Sequence, residues 1–486
     1  MDKNSTVEKS NSQLITSNTQ RGALYNKFKS KIIHNPRLDR TLVSFQANKE
    51  TQFSWFKYRE GFSEKLVIYL IETLKPKPGA LLDPFSGVGT SLFTASDLNW
   101  QTIGIELLPV GVFAIEAKIN ARAVDVDALS LVINQIKAIN FYDYYDQQYA
   151  FSHLAITSGA FPESQEVQLL GYISYCNKQI QDISIRKILL FAAFCILEDI
   201  SYTRKDGQYL RWDSRSNRSR GKKEFCKGKI LLFKDAIHKK LSQILSDLSN
   251  TDAVQLDLFD FKPEKGAFKE VNLQLHQGTC LEIIPTIASS SIDFVITSPP
   301  YVNRYDYTRT YALELAFLGC SEHEVKRLRQ TMLSCTVENQ DKRDILEKHY
   351  IEINRHDDFI KIDSTFNKQG ALQEVLGILE SYKQEGKLNN VNIIRMIRNY
   401  FYEMSFVIYE LARVLKPGGV IAMVNDNVQY AGEEVPVDLI LSDIAESFGL
   451  TTKHIWTLGR GKGNSSQQMG NHGRSELRKC VYIWEK

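Results

Sequence analysis

The chain has 486 residues, of which 43% are hydrophobic and 24% are charged, and its formal net charge is +3. This is the composition of a globular protein with one large core or two smaller ones, so it excludes a chain that is disordered throughout. Because the net charge is small, any surface that binds nucleic acid must arise from local clusters of Lys and Arg.

The cysteines and the N-terminal segment indicate the compartment. The seven cysteines are odd in number, and no two of them form a C-x-x-C pair. This argues against a disulfide framework and a structural zinc site, so we expect no metal. Residues 1–24 are polar and lack the apolar core of a signal peptide, and no apolar run is long enough to span a bilayer. We therefore expect a disordered tail on a soluble, cytoplasmic protein that does not associate with membranes.

An α/β pattern begins near residue 62. Apolar spacing predicts a helix over "FSEKLVIYLIETL", which ends at "KPKPG". It is followed by the strand "ALLDPF", the glycine turn "SGVGT" leading into a helix, and the strand "QTIGIEL". This order of strand, glycine turn, helix, strand and acid is typical of the start of a doubly wound sheet.

The glycine turn is the first predicted binding element. Gly87 and Gly89 allow a ligand to approach the backbone closely, and the following helix offers unpaired N–H groups. Glu106 ends the next strand, 23 residues after Asp83, where a carboxylate can accept hydrogen bonds from both hydroxyls of a ribose. Together they predict a site for an adenosine-containing cofactor. A tight turn followed by a surface acid is the alternative if this pair of features is the only signal.

A long segment without strand-helix alternation follows, over residues 126–270. Two amphipathic helical stretches flank residues 204–229, which carry ten Lys or Arg and three acids. Tyr209 and Trp212 lie among these cations, as contact with phosphates and entry into a DNA groove require. The insert is therefore the candidate target-recognition region, and a solvated charged loop is the alternative.

The stretch "IDFVITSPPY" places a buried strand directly before two prolines. Pro299 and Pro300 cannot donate backbone hydrogen bonds, and their fixed φ holds their carbonyls outward as acceptors. Such a loop suits the exocyclic amine of a nucleobase, which becomes nucleophilic only when acceptors hold both of its hydrogens. In this interpretation Ser298 Oγ and the Pro299 carbonyl are the acceptors, and Tyr301 stacks on the extruded base. A simple strand terminator is the alternative.

The α/β pattern resumes in the last part of the chain. A helix is predicted at "YFYEMSFVIYELARVL", followed by the strand "VIAMVND" and the helix "VDLILSDIAESFG". Two final strands, "TKHIWTLG" and "KCVYIWEK", are expected to form an antiparallel pair. Both halves of the pattern are therefore predicted to belong to one sheet.

Together these motifs resemble the amino-directed DNA methyltransferases that use S-adenosyl-L-methionine. "DPFSGVGTS" is similar to their cofactor loop, Glu106 in "GIEL" to their ribose-binding acid, and "TSPPY" to their catalytic tetrapeptide with its preceding residue. "FKYREGFSEKLVIYLI" resembles the element that covers the methionine end of the cofactor. The resemblance covers roughly residues 50–125, 271–318 and 397–486.

The resemblance implies a Rossmann-like α/β fold with a mostly parallel twisted sheet and a largely helical insert. It also implies site-specific methylation of duplex DNA with base flipping, alongside a restriction endonuclease that acts separately. Ser298 as the first residue of the tetrapeptide is similar to enzymes that form N4-methylcytosine, whereas Asp or Asn is usual for N6-methyladenine, which remains the alternative. RNA or protein-amide methylation, or a non-catalytic nucleic-acid-binding protein on the same scaffold, are further alternatives. Methylation at C5 of cytosine is disfavoured because the chain has no Pro-Cys pair.

The domain organisation that follows has six parts. They are a tail (1–24), the cofactor-binding half (25–125), the basic helical insert (126–270), the catalytic strand and loop (271–318), a second helical insert (319–396) and the C-terminal half (397–486).

The resemblance also implies the residues of the site. The expected catalytic residues are Ser298, Pro299, Pro300 and Tyr301. The expected cofactor-binding residues are Phe62, Ser63, Asp83, Pro84, Phe85, Gly87, Gly89, Thr90, Glu106 and Thr279. Thr279 stands where the family usually has an Asp that meets the adenine amine, and a hydroxyl accepts more weakly than a carboxylate.

DNA contacts are expected from basic residues, and from one tryptophan, in three places. In the insert and after the catalytic loop they are Arg204, Lys205, Arg211, Trp212, Arg215, Arg218, Arg220, Arg304 and Arg309. The third place is "GRGKGNSSQQMGNHGR", which is glycine-rich and basic and is expected to close over the DNA backbone.

Overall fold

A computed structural model describes residues 19–48, 52–150, 152–206, 209–218, 224–249, 271–458 and 477–486. The β-strands in these residues are β1 (Ile32–His34), β2 (Ala80–Asp83), β3 (Gln101–Glu106), β4 (Thr203–Asp206), β5 (Tyr209–Trp212), β6 (Leu273–Gln277), β7 (Ile292–Thr297), β8 (Leu415–Asp426), β9 (Val428–Tyr430), β10 (Glu433–Val435), β11 (Thr451–Thr457) and β12 (Lys479–Glu485).

The α-helices of the described residues are α1 (Gln20–Phe28), α2 (Arg40–Val43), α3 (Glu64–Leu74), α4 (Thr90–Asp97), α5 (Pro109–Arg122), α6 (Val126–Ile136), α7 (Glu163–Gln179), α8 (Ile183–Ile200), α9 (Phe233–Ser249), α10 (Cys280–Ile283), α11 (Tyr307–Thr310), α12 (Ala312–Phe317), α13 (Glu322–Thr331), α14 (Arg343–Glu352), α15 (His356–Lys368), α16 (Gly370–Gln384), α17 (Ile393–Val414) and α18 (Val437–Ser447). None of the helices described is both long and apolar enough to cross a membrane.

Eight strands form one twisted sheet in the order β1-β11-β12-β8-β7-β2-β3-β6. The pairs β7–β8, β7–β2, β2–β3, β3–β6 and β1–β11 are parallel, whereas β12 runs antiparallel to both β11 and β8. The prediction of a Rossmann-like α/β fold with a C-terminal antiparallel pair is therefore confirmed.

Strand β2 lies at the point where the strand order reverses. The chain leaves β2 for β3 on one side, and β7 pairs with β2 on the other. In open α/β sheets, ligands bind beyond the carboxyl ends of the strands at such a reversal. The topology therefore brings the glycine turn after β2 and the "TSPPY" loop after β7 to the same place.

The two faces of the sheet are covered by different helices because strand side chains alternate. Leu81 of β2 belongs to the apolar cluster that contains Leu66 and Leu70 of α3. Its neighbour Leu82 belongs to the cluster on the other face, with residues of α17 such as Ile408. The strands between these layers are buried on both faces, which accounts for their continuous apolar runs.

The helical insert packs directly on the sheet domain. A single apolar cluster contains Val110 and Ala114 of α5, Phe194 of α8 and Leu313 of α12. The basic segment between α8 and α9 begins with an antiparallel hairpin of β4 and β5, in which Arg204 lies opposite Arg211. The insert and the sheet domain therefore share one core.

The N-terminal prediction requires a correction. Residues 20–24 were expected to be disordered but form the first half of α1, in which Leu24 and Phe28 are buried. Arg21 Nε is 2.7 Å from a carboxylate oxygen of Glu374 in α16, and Nη1 also bonds Glu433. These remote partners stabilise a segment whose local sequence is polar. Residues 1–18 lie outside the described residues.

Candidate active site

A cleft of about 800 Å³ lies over the carboxyl ends of β2, β3 and β7. Its lining comes from residues within 58–62, 83–90, 105–108, 278–280 and 298–300, together with Tyr307, Met332 and Leu333. The cleft therefore joins the glycine turn, the acid of β3 and the "TSPPY" loop, which were predicted separately.

Glu106 and the glycine turn form one wall of the cleft. The carboxylate of Glu106 accepts hydrogen bonds of 2.7 Å from the backbone N–H groups of Gly87 and Leu108. Gly87 has φ +53°, and a Cβ at this position would lie 3.0 Å from the ring of Tyr58, so the turn requires glycine. Burial raises the pKa of Glu106 to about 7, although the two N–H groups favour its ionised form.

Helix α5 holds the turn from behind. A Cβ on Gly111 would lie 2.3 Å from the carbonyl oxygen of Gly87 and 2.7 Å from Cγ of Glu106. Sequence analysis missed Gly111 because its role depends on a close approach between segments and not on a local motif. Its position five residues after Glu106, in the first turn of the next helix, was the available signal.

Asp83 connects the two halves of the site. Its Oδ1 accepts hydrogen bonds from Thr297 Oγ1 at 2.7 Å and from the backbone N–H of Phe85 at 3.1 Å. Its other oxygen accepts from the hydroxyl of Ser91. Burial raises the pKa of Asp83 to about 6. Asp83 lines the cleft, but both of its oxygens already bond to protein groups, so its geometry is that of a structural link.

The "TSPPY" loop is held at its C-terminal end by two hydrogen bonds. The backbone N–H of Asn303 donates to the carbonyl of Tyr301 at 2.7 Å, and the hydroxyl of Tyr430 in β9 donates to the carbonyl of Val302 at 2.7 Å. Ser298 Oγ donates to the hydroxyl of Tyr301 over 3.3 Å. Ser298 and Pro300 line the cleft. Strand β7 therefore ends at Thr297, and the next residue, Ser298, lies at the cleft directly before the two prolines.

A pair of aromatic side chains that the sequence patterns did not predict lies beside the glycine turn. Tyr58 and Tyr311 stack with ring centroids 5.1 Å apart and an interplanar angle of 16°. The hydroxyl of Tyr311 donates to the carboxylate of Glu60, and burial raises the pKa of that carboxyl. Tyr58 and Glu60 line the cleft. The sequence carries no signal that pairs segments so far apart.

Similarity to characterised proteins identifies the chain. It is 46% identical over 467 residues to the type II methyltransferase M.AvaI of Nostoc sp. (strain PCC 7120), and the match covers 96% of this chain and 92% of that protein. M.AvaI of Anabaena variabilis matches to the same extent. The type II methyltransferase M.BsoBI of Geobacillus stearothermophilus is 40% identical over 469 residues, covering 95% of this chain and 91% of that protein. The chain belongs to the type II DNA methyltransferases.

This membership confirms several predictions. The chain is an enzyme of the restriction-modification type, and S-adenosylmethionine is its methyl donor. Duplex DNA is the substrate of methyltransferases of this kind. No protein-family model and no solved structure matches the chain.

Most of the residues expected to bind the cofactor line the methyltransferase cleft. These are Phe62, Asp83, Pro84, Phe85, Gly87, Thr90, Glu106 and Thr279. Ser63 instead caps α3, because its buried side chain accepts a hydrogen bond of 3.1 Å from the N–H of Leu66. Gly89 adopts φ +80° at the start of α4, and Thr279 caps α10.

The prediction that Lys205 contacts DNA is wrong. Its side chain is 3% exposed, and its ammonium nitrogen lies 2.5 Å from the carboxylate of Glu314 in α12. Strand alternation explains the error, because Arg204 faces solvent while Lys205 faces the core. A run of cations in the sequence does not reveal which of its members are buried.

Three other cations of the methyltransferase insert, Arg211, Arg215 and Arg218, have carboxylate or aromatic neighbours. Arg211 pairs with Asp206 at 2.9 Å, and Arg215 pairs with Asp213 at 2.7 Å. The guanidinium of Arg218 lies 4.5 Å from the ring centre of Trp212. Arg220 and the glycine-rich segment 459–474 lie outside the described residues.

The two arginines after the catalytic loop differ in their environment. Arg309 pairs with Asp306 at 3.2 Å and also with Glu338. Arg304 is half-buried, with φ +68°, and its N–H donates to the carbonyl of Cys335 at 2.9 Å. Both lie on the segment that leaves the cleft.

Proposed function

We propose that this methyltransferase methylates the N4 amine of cytosine at a specific site in duplex DNA. The observation that carries the proposal is the position of Ser298, a neutral hydroxyl at the carboxyl end of β7, in the cleft that contains Glu106. A neutral acceptor at this place is typical of cytosine-N4 enzymes, as the resemblance of the "TSPPY" loop implies. N6-methylation of adenine is the alternative.

The hydrogen bonding of Ser298 supports its role as an acceptor. Because its hydroxyl hydrogen points to the Tyr301 hydroxyl, the lone pairs of Oγ remain able to accept from an amine. The Pro299 carbonyl accepts the second amine hydrogen in this proposal. With both hydrogens held, the nitrogen lone pair would be less delocalised into the ring and would take the methyl group of the cofactor by direct displacement, without a covalent intermediate on the enzyme. The S–CH3 bond would break, its electron pair would stay on sulfur as a neutral thioether, and the methylated nitrogen would lose one proton to solvent.

The residues of the cleft fit S-adenosylmethionine, which supplies an electrophilic methyl group on a positively charged sulfur. Glu106 would bind the ribose hydroxyls, as the glycine turn keeps its carboxylate at the cleft wall. Phe85, Leu107 and Cys280 offer apolar contact for an adenine ring. Thr279 lines the same region and would accept from the adenine amine.

The cleft lies over the carboxyl ends of the interior strands β2, β3 and β7, and a base inside a duplex cannot reach it without leaving the stack. We therefore propose base flipping, with Tyr301 stacking on the extruded base. Burial raises the pKa of Tyr301 above its usual range, so the ring stays a neutral phenol. An uncharged ring suits stacking on a neutral base.

The helical insert, residues 126–270, is the proposed target-recognition region. Arg204 is exposed and lies opposite Arg211 in the hairpin of β4 and β5. Asp206 already pairs with the guanidinium of Arg211, so the exposed Arg204 is the residue of this pair that would contact a DNA phosphate. We propose that modification takes place in the cytoplasm and protects DNA from a restriction endonuclease that acts separately.

Transfer of a labelled methyl group tests the proposal. The full chain is incubated with labelled S-adenosylmethionine and unmethylated bacterial DNA, and in parallel with bacterial RNA or with a bacterial protein extract, and the DNA is digested to deoxynucleosides that are separated by chromatography. We expect label in N4-methyl-2′-deoxycytidine, whereas label in N6-methyl-2′-deoxyadenosine supports the alternative. Label only in RNA or in protein would contradict the proposal.

A further inference from the structure

Lys205 of the hairpin formed by β4 and β5 makes a buried ion pair with Glu314 of α12, and contact with DNA does not explain this pair. Lys205 Nζ lies 2.5 Å from Glu314, whose side chain is 1% exposed. The second oxygen of Glu314, Oε2, is buried and has no hydrogen-bond partner among the described residues. Burying two charged side chains costs desolvation free energy that burying two apolar side chains does not cost. An ion pair in which one carboxylate oxygen lacks a hydrogen bond is therefore weak evidence for a purely stabilising role.

The ammonium of Lys205 also contacts aromatic rings that lead toward the cleft. It lies 4.6 Å from the ring centre of Tyr311 and 4.9 Å from that of Phe56. At these distances a cation is attracted to the ring face. Lys205 therefore touches Tyr311 from the side of the insert.

Tyr311 in turn holds two residues of the cleft. Its hydroxyl donates to the carboxylate of Glu60 and accepts from the backbone N–H of Arg59 at 3.2 Å. Its ring stacks on Tyr58. Tyr58 lies against Gly87 of the cofactor turn, as a Cβ there would be 3.0 Å from its ring. A continuous series of contacts thus joins the hairpin to the cofactor turn.

We propose that Lys205 is a positioning residue that couples the seating of the insert hairpin to the shape of the cofactor cleft. Lys205 orients Tyr311, and Tyr311 keeps Tyr58 and Glu60 at the cleft wall. The proposal rests on the methyltransferase activity but not on which base is modified. It predicts that disturbing the hairpin weakens binding of S-adenosylmethionine even though none of the described hairpin residues lines the cleft.

The test compares the full-length protein with Lys205→Met. We expect the Kd for S-adenosylmethionine, measured by calorimetry, and the KM in total methyl transfer to unmethylated bacterial DNA, to rise about tenfold. We expect kcat at saturating cofactor to change by less than about threefold, because Lys205 touches no reacting atom. An unchanged Kd would overturn the proposal.

A double variant separates positioning from stability. In Lys205→Met/Glu314→Met no charge is left unpaired, so the thermal midpoint should recover toward that of the unmodified protein. Because the contact between the cation and Tyr311 is still missing, the Kd should stay raised. Recovery of both the midpoint and the Kd would show a merely structural role.

Two further variants keep the test informative. Tyr311→Phe removes the hydroxyl that bonds Glu60 and should also raise the Kd, and it carries the same test should Lys205→Met fail to fold. Lys178→Met is the control, because Lys178 Nζ also pairs with a carboxylate, that of Asp146, and lies 5.5 Å from the ring centre of Tyr149, while neither of these contacts involves the hairpin. We expect it to leave the Kd unchanged, and an equal rise in Lys178→Met would contradict the proposal.

Discussion

The hydroxyl of Thr297 donates a hydrogen bond of 2.7 Å to the carboxylate of Asp83. Thr297 is the last residue of β7, and Asp83 is the last residue of β2. Both side chains are buried. This bond therefore sets the position of the catalytic loop relative to the cofactor turn.

Removing this bond should affect both functions of the site. Thr297→Val leaves an oxygen of Asp83 with one bonding partner fewer in a buried environment, which costs about 1–3 kcal/mol of unfolding free energy. We expect a raised KM for S-adenosylmethionine together with a lower kcat, because the two loops shift relative to each other. Urea unfolding and steady-state kinetics of the same preparation measure these effects.

Thr286→Val is the control for this variant. The hydroxyl of Thr286 also donates a hydrogen bond, of 2.8 Å, but its acceptor is the backbone carbonyl of Ile283 and the site is exposed. It should change neither kinetic constant. A Thr297→Val protein with unaltered KM and kcat would show that the two loops hold their positions independently.

The close approach of α5 to the cofactor turn leads to a second prediction. Gly111→Ala places a Cβ 2.3 Å from the carbonyl of Gly87, so the turn and Glu106 must move. We expect the affinity for S-adenosylmethionine to fall by at least about tenfold, measured by calorimetry. Gly377→Ala in α16 is the matched control, since its Cβ would meet nothing within 4 Å. That change should stabilise the protein by about 0.5–1 kcal/mol and leave cofactor affinity unchanged.

The division of roles within the cleft is tested by Ser298→Ala. Loss of one acceptor for the amine should lower kcat by about 100-fold, whereas the Kd for S-adenosylmethionine should stay within about twofold. Gly87→Val should have the reverse profile, with cofactor binding abolished, because its side chain would strike Tyr58. Equal loss of cofactor binding in both variants would show that the two loops do not have separate functions.

The pKa of Glu106 predicts how cofactor affinity depends on pH. With a pKa of about 7, the carboxyl of the free protein is largely protonated at pH 6 and largely ionised at pH 8. The positively charged cofactor favours the ionised form, so its Kd should fall as pH rises over this range, by up to about tenfold per unit below the pKa. Calorimetry at several pH values measures this.

A matched variant isolates the contribution of Glu106. Three other groups also change charge in this range: Asp83, with a pKa of about 6, and Glu64 and Lys118, each with a pKa of about 7. Glu106→Gln should bind more weakly and lose most of the pH dependence, while these three groups remain. A variant that keeps the full pH dependence would assign it to those groups.

Short sequence patterns predicted those parts of the structure that depend on residues close together in the chain. The glycine turn, Glu106 and the "TSPPY" loop are short motifs in which residue type and spacing carry the role. The alternation of strand and helix periods likewise predicted the main strands of the sheet. Strand β1 was not predicted, because it has only three residues and is stabilised by pairing with β11, from Ile32 opposite Ile455 onward.

Contacts between distant segments were not predictable from the residues involved. Lys205 lies in a basic run, and such a run predicts an exposed side chain. Its burial depends on Glu314 and Tyr311, which come more than one hundred residues later in the chain. Helix α1 similarly depends on Arg21 meeting Glu374. In each case the local sequence is polar, and the deciding partner becomes visible only in the folded chain.

Sequencing DNA from an expression host shows which base the enzyme methylates. The method must distinguish N4-methylcytosine from N6-methyladenine, and a host that produces Ser298→Ala serves as the reference. We predict N4-methylcytosine at one recurring sequence, present with the unmodified enzyme and strongly reduced with the variant. N6-methyladenine or C5-methylcytosine in its place would contradict the account.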